Sequence, residues 1–413
     1  MNKRVVITGM GAVTPLGCDS GLFWENIKNG KIGIKTLTAF DTSDFTVKIA
    51  AEIDDFDITA RLEKKDARRM DRFTQFGLTA ALEAYEMSGL HTETLRPERF
   101  ATVTGSGIGG FSTIEREFEK MMDRGPGRVS PLLVPMIISN ILGGTIAIRL
   151  QATGACHNIV TACATGTHCI GEAFRLIAAG RADAAVAGAA EAPLTKLSVA
   201  GFTNMTALST KNDIQRSSTP FDVHRDGFVI GEGAGMLILE ELEHAKARGA
   251  KILAEIVGYG STCDAYHITS PSPDGLGAAR AMTEAMEDAG VTPEQISYIN
   301  AHGTGTPYND LFETKAIQAA MGNAANSVPV SSTKGMTGHA MGAAGALETI
   351  VCVGALREDY IPHTVGLLDP DPELTLDYVP NAGRHVPVHY AMSNSLGFGG
   401  HNGTILLKKY LND

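Results

Sequence analysis

Val160–Gly171 reads VTACATGTHCIG and Ser331–Gly342 reads SSTKGMTGHAMG. Both run from β-favouring or small polar residues into a small-residue helix start, and aligning them sets Cys163 opposite Lys334 and His168 opposite His339, each pair 171 positions apart. A second correspondence lies outside the first. Ala81–Gly89 (ALEAYEMSG) and Met282–Gly290 (MTEAMEDAG) agree at Glu83/Glu284, Ala84/Ala285, Glu86/Glu287 and Gly89/Gly290, and both read as helix ends closed by glycine. Each precedes a strand that ends in a glycine-bearing turn, FATVTGSG in one case and ISYINAHG in the other. The order strand, helix, strand, glycine turn, strand, helix therefore occurs twice, which implies a duplicated unit.

The boundary falls near Gly249, between the charged helix EELEHAKARG and the strand ILAEIVGYG, whose counterpart is the N-terminal RVVITGMG. Residues 1–249 form an N-terminal half carrying Cys163. Residues 250–413 form a C-terminal half carrying His302, Lys334, His339 and a loop around Phe398. The first half is the longer, and its surplus is an insertion at about 111–150, suited to capping a site or a dimer interface. With 46 glycines against one tryptophan, the composition suits a layered α/β protein with glycine-rich strand-to-helix turns.

A formal charge of −11 disfavours nucleic acid or an anionic membrane as a partner, because the overall field repels polyanions. The longest apolar stretch, Leu132 to Ile148, includes Pro135, Ser139, Asn140 and two glycines, so it reads as an interior or interface segment. The opening MNKRVVITGMG is too short in its apolar run for a secretion signal, and a soluble cytoplasmic protein is expected. None of the six cysteines has a C-x-x-C partner, so zinc or a disulfide framework is not indicated.

Cys163 follows the run Asn158–Thr161 and opens a helix with Ile170, Phe174 and Ile177 on one stripe. A helix start stabilises a thiolate and lowers the thiol pKa. Alone, such a cysteine is more often structural than catalytic. Two histidines shift the balance: His302 on the loop of NAHGTGTP and His339 in STKGMTGHAMG, five residues after Lys334. They converge on one site if the halves pack about a pseudo-twofold. The loop Asn394–Asn402, NSLGFGGHN, is either a plain hairpin turn or a set of amides aimed at an oxyanion, with Phe398 as a gate. Gly105–Gly110, GSGIGG, matches G-x-G-x-x-G, but no acidic residue closes a second strand after it, so nucleotide binding is disfavoured.

TACATGT with Cys163, AHGTGTP with His302, SSTKGMTGH with Lys334 and His339, and SNSLGFGGHN with Phe398 resemble the four signatures of the β-ketoacyl-[acyl-carrier-protein] synthases of the elongating KAS II type, members of the thiolase superfamily. The similarity runs from VVITGMG to TILLKK. It implies an α/β thiolase-like fold, two pseudo-duplicated halves in five layers (α-β-α-β-α), as a homodimer. Initiating synthases carry Asn, and thiolases a second Cys, where this chain has His339. The resemblance also implies a decarboxylative Claisen condensation that elongates fatty-acyl chains on an acyl carrier protein, with Cys163, His302, His339, Lys334 and Phe398 as its catalytic set. A ketosynthase of a polyketide or specialised-lipid pathway would share these motifs; a non-catalytic chain-length partner would lack the cysteine. Two departures, Gly305 for serine and His401 for threonine, touch no catalytic side chain.

By the same resemblance Ile108 and Phe202 line the acyl channel, and Thr304, Thr306 and Gly399 contact substrate. No cofactor is required. Asn300, Glu348, Ser393 and Asn394 match positions that enclose a structural monovalent cation in some relatives; Glu348 could equally pair with Lys334. Lys64, Lys65, Arg68, Arg69 and Arg72 recur at helical spacing in an acidic chain, a solvated face or, with Arg128, a docking stripe for the acidic carrier.

Overall fold

The computed structural model describes residues 3–91 and 95–411. Its main sheet is built from β1 (Val5–Val13), β2 (Phe100–Gly105), β3 (Cys156–Asn158), β4 (Ala184–Glu191), β5 (Gly233–Glu241), β6 (Ala254–Cys263), β7 (Tyr298–Asn300), β8 (Val330–Ser331), β9 (Tyr390–Gly397) and β10 (His401–Lys408). The strand order is β8-β7-β9-β10-β6-β1-β5-β4-β2-β3. Read outward from the centre, each side repeats the other. In both, the first three strands pair antiparallel and the outer two join in parallel. The halves meet where Val5–Ile7 of β1 pairs with Ala254–Ile256 of β6.

The helices that matter are α1 (Arg72–Ser88), α2 (Phe111–Arg124), α3 (Ile141–Leu150), α4 (Thr165–Ala178), α5 (Leu276–Ala289), α6 (Pro307–Met321) and α7 (Ala344–Glu358). α1 and α3 cover the N-terminal strands, and α5 with α6 cover the C-terminal ones. α4 and α7 pack on each other and on strands of both halves, which makes the central layer of a five-layer, thiolase-like arrangement. Its largest apolar core lies there, with Ile170, Ile177, Leu347 and Ile350 fully or almost fully buried.

The matched helix ends have a physical origin. A Cβ on Gly9 of β1 would lie 2.0 Å from the Ala84 carbonyl oxygen on α1, and a Cβ on Gly258 of β6 would lie 2.0 Å from that of Ala285 on α5. Helix and strand approach so closely only because these positions lack a side chain. Glu83 accepts from the Ala12 amide at 2.9 Å, and its match Glu284 accepts from the Ser261 amide at 3.2 Å.

The alignment around Cys163 needs correction. The 3₁₀ turns Ala162–Ala164 and Met341–Ala343 each begin with a left-handed residue, Ala162 and Met341 both at φ 49°, and lead into α4 and α7. The counterpart of Cys163 is therefore Gly342, not Lys334. The second half inserts the short helix Lys334–Thr337 between β8 and that turn, and the shared small-residue composition masked the insertion.

The insertion folds as α2, the 3₁₀ turn Pro126–Arg128, the helix Leu133–Ile137 and α3. No helix of the described residues is long and apolar enough to cross a membrane.

Candidate active site

Cys163 sits in the 3₁₀ turn ahead of α4, 5% exposed. Its Sγ lies 3.1 Å from His339 Nε2. His302, two residues beyond β7, stands edge-on to His339 with ring centroids 5.3 Å apart. Phe228 packs on the other side of His339, its ring centroid 5.0 Å away. All three reactive side chains line one cavity of about 490 Å³, together with Thr304, Met341 and Phe398. The halves thus bring together residues 176 positions apart.

Hydrogen bonds to the backbone fix the turns that carry the two histidines. The His302 and Gly303 amides donate to Glu313 on α6 at 2.7 and 2.8 Å, and the His339 amide donates to the Val229 carbonyl at 2.8 Å. Lys334 is buried, so it is no surface lysine; its Nζ donates to the His302 carbonyl and to Glu348 Oε1. Burial, with Lys334 as the second cause, holds both imidazoles well below the ordinary histidine pKa, so they are neutral. Neither Nδ1 has a hydrogen-bond partner that would pin one tautomer.

The thiol departs from the sequence expectation. Burial pushes Cys163 up to about 12, against the opposing pull of Lys334 and the Phe398 amide, and a nearby Glu191 adds to the rise. The resting pair is thiol and neutral imidazole. The Phe398 amide faces the sulfur, and the adjoining Gly397 packs against the Cys163 turn, where a Cβ would lie 3.3 Å from the Cys163 nitrogen.

The other expected residues divide. Thr304 and Thr306 line the cavity and bond each other at 2.9 Å. Gly399 is exposed on the same turn as Phe398, its amide donating to Ile268 O at 2.8 Å. Ile108 and Phe202 are half-buried and do not line this cavity; Phe202 packs on Phe228 at 5.9 Å. Lys64, Lys65, Arg68, Arg69 and Arg128 are exposed. Arg72 is not available for docking: it bonds Glu232 at 2.8 Å and lies over the Phe76 ring. The stripe is not one helix either, because Lys64–Ala67 ends before Asp71 caps α1.

Around the expected cation positions, Asn300 Oδ1, Glu348 Oε2 and Ser393 Oγ are buried with no hydrogen-bond partner, and Ser393 pairs in register with Asn300. Three orphaned acceptor oxygens fit a hard monovalent cation. Asn394 fits less well, since its Oδ1 accepts from Thr404 at 3.0 Å. Glu348 serves both readings, with one oxygen on Lys334 and the other free.

Sequence reasoning missed Glu313, Phe228 and Glu191. Glu313 and Phe228 follow no motif. Glu191 explains the G-x-G-x-x-G turn: its carboxylate accepts from the Gly107 and Ile108 amides at 2.7 and 3.2 Å, so amides that would meet a phosphate meet the chain's own anion.

Residues 2–245 match the family described as Beta-ketoacyl synthase, N-terminal domain, and residues 253–368 match its C-terminal domain. The chain is 50% identical over 409 residues to the 3-oxoacyl-[acyl-carrier-protein] synthase 2 of Staphylococcus aureus (strain COL), covering 99% of each. It is 50% identical to the protein of that name from Synechocystis sp., covering 99% of this chain and 98% of that one. Among solved structures, the ishigamide ketosynthase/chain length factor superposes with a TM-score of 0.93 at 36% identity over 100% of both chains. A type II polyketide-synthase acyl-carrier protein in complex with its ketosynthase gives a TM-score of 0.92 at 34% identity, over 99% of this chain and 100% of that one.

Proposed function

Because the chain belongs to the beta-ketoacyl synthase family, we propose for its cavity the chemistry of a 3-oxoacyl-[acyl-carrier-protein] synthase 2: decarboxylative condensation of malonyl-ACP with an acyl-enzyme, elongating fatty-acyl chains by two carbons. The observation that carries it is the contact of Cys163 Sγ with His339 Nε2 at 3.1 Å, with the neutral His302 ring beside it.

In the first half-reaction Sγ attacks the thioester carbonyl of acyl-ACP. The thiol proton leaves with the carrier thiol, and His339 Nε2 is the group within reach to pass it on. The Cys163 and Phe398 amides receive the oxyanion, an interaction worth about 3–4 kcal/mol for one donor. In the second, with the thiol acylated, both neutral rings take the Nε2–H tautomer, which no partner at Nδ1 opposes, and His302 and His339 donate Nε2–H bonds to the malonyl thioester oxygen. Carbon dioxide departs, and the enolate carbon attacks the acyl-cysteine carbonyl. The carbon–sulfur bond breaks, the Cys163 thiolate takes up one proton from solvent to restore the thiol, and 3-oxoacyl-ACP leaves, two carbons longer. Neutral imidazoles suit this role because they stabilise the enolate oxygen without first losing a proton. Thr304 and Thr306 contact the pantetheine arm in this reading, supported by their place on the cavity wall. A monovalent cation at Asn300, Glu348 and Ser393 would neutralise orphaned oxygens behind the site; it takes no part in bond making.

The partner is an acyl carrier protein, docking on the exposed Lys64, Lys65, Arg68, Arg69 and Arg128. A solved relative is described with such a carrier bound. The reading includes a homodimer, supported by the apolar side chains Phe118, Met122, Val134 and Ile138 that the insertion exposes and by the edge position of β3 with its exposed Cys156. The nucleophilic thiol suits the reducing cytoplasm. Incubation with malonyl-ACP and acyl-ACPs of graded length tests the reading. Extension of saturated chains is expected; turnover only of a non-fatty starter would replace it with a polyketide or specialised-lipid ketosynthase.

A further inference from the structure

We propose that Glu191 is a positioning residue of this reaction, its carboxylate clamping the glycine-rich turn at 106–110 to the turn at Gly342 and thereby fixing Cys163 against its cavity. The inference rests on the condensing-enzyme reading above.

Glu191 ends β4 and is fully buried. One carboxylate oxygen accepts from Ser106 Oγ at 2.6 Å and the Ile108 amide at 3.2 Å; the other accepts from the Gly107 amide at 2.7 Å and the Gly342 amide at 3.0 Å. All four neighbours donate. The three amides can only donate, and Ser106 Oγ is the one neighbour that could accept from a protonated carboxyl; burial raises the carboxyl pKa, and the four hydrogen bonds oppose it by favouring the anion. Among the described residues no lysine or arginine is ion-paired with it. Buried charge sustained this way is lost if the donors move apart.

The donors come from both halves, and the spacing leaves no slack. A Cβ on Gly107 or on Gly342 would lie 2.7 Å from the same carboxylate oxygen. Both glycines also abut the Ala162 carbonyl, with would-be Cβ distances of 3.7 and 3.4 Å. Ala162 immediately precedes the nucleophile, and Met341, immediately before Gly342, lines the cavity. These two are the left-handed residues of the duplicated turns. Strained non-glycine backbone persists only where its surroundings over-determine it. The Glu191 anion supplies that constraint, tying the Gly342 turn directly and pressing the Gly107 turn on Ala162.

Glu191→Gln tests the clamp in the full-length enzyme. The glutamine oxygen can still accept, but its NH₂ group faces amide donors, so one turn is released. Transfer of acyl groups from acyl-ACP to Cys163 is expected to fall on the order of 10- to 100-fold, as for misplacement of a reacting atom by up to about 1 Å. KM for acyl-ACP is expected to hold, while the melting temperature falls, because a buried NH₂ is left facing donors. Malonyl decarboxylation, which relies on His302 and His339, is expected to stay within about twofold of wild type. The pH midpoint for iodoacetamide alkylation of Cys163 should move down. Of the charged and titratable groups facing the sulfur (His339, His302, Lys334, Glu348 and Glu191), only the last has lost a charge. Ser106→Ala, which removes one donor and leaves three, should shift transfer in the same direction by a smaller factor, and it decides the matter if Glu191→Gln does not fold. Wild-type rates of acyl transfer in a folded Glu191→Gln, or in Ser106→Ala where the first variant fails, overturn the proposal, as does an unmoved alkylation midpoint. If wild-type enzyme accepts no acyl-ACP, the condensing reading falls, and the alkylation midpoint still judges the clamp.

Discussion

Replacing Lys334 with methionine removes the cation from a pair whose side chains are 1% and 4% exposed, and strands Glu348 in the interior. Breaking a buried pair from one side costs about 3–5 kcal/mol, because an uncompensated charge remains. The His302 carbonyl also loses its Lys334 donor. The double variant Lys334→Met/Glu348→Leu removes both charges and keeps an apolar volume, so the newly unsatisfied group is that carbonyl, at about 1–3 kcal/mol, beside the Asn300 and Ser393 oxygens that already lack partners. Urea unfolding followed by circular dichroism should therefore rank wild type above the double variant and the double variant above Lys334→Met. Malonyl decarboxylation should stay low in both variants, since the positive field behind His302 and His339 is absent from each. Lys334→Met unfolding within about 1 kcal/mol of wild type would show that the pair does not carry the charge ascribed to it. Recovery of decarboxylation in the double variant would reduce the lysine to packing.

Cys163→Gln should lose condensation and keep malonyl decarboxylation, because an amide resembles the acylated cysteine and both histidines remain; loss of both activities contradicts that division of labour. In the same variant, decarboxylation should show no inflection at the ordinary histidine pKa of about 6.5, since depressed values move protonation to lower pH; an acid limb centred there would mean an imidazole that is not shielded. Arg68→Glu with Arg69→Glu should raise KM for acyl-ACP, more at low salt than at high, with kcat little changed, whereas Arg72→Ala should lower thermal stability through its broken contact with Glu232. Gly258→Ala, which drives a Cβ to 2.0 Å from the Ala285 carbonyl, should cost at least about 1–3 kcal/mol in unfolding free energy.

What the chain disclosed before its structure was the duplication, and the reason is local. Close packing of helix on strand required glycine at Gly9 and Gly258 and a capping glutamate at Glu83 and Glu284, so each half records the same contact in its own residues. The candidate catalytic residues were legible for a related cause: their turns are built from small residues, which leaves Cys163, His302 and His339 conspicuous. Charge was harder to read. Helix geometry argued for a lowered thiol pKa, yet burial governs Cys163, and how deeply a turn is buried depends on packing between halves that no single stretch encodes. The same limit hid Glu313 and Glu191, whose partners lie 11 and up to 151 positions away. It also made Arg72 look like part of a docking stripe, since only the fold sets Glu232 beside it. Glu191 shows where the two kinds of information meet: GSGIGG matched a phosphate-binding pattern that its sequence surroundings disfavoured, and the fold supplies an acidic side chain to those amides from within. A glycine-rich turn after a strand is thus a statement about amides in need of negative charge, and the search for its ligand begins with the chain's own carboxylates.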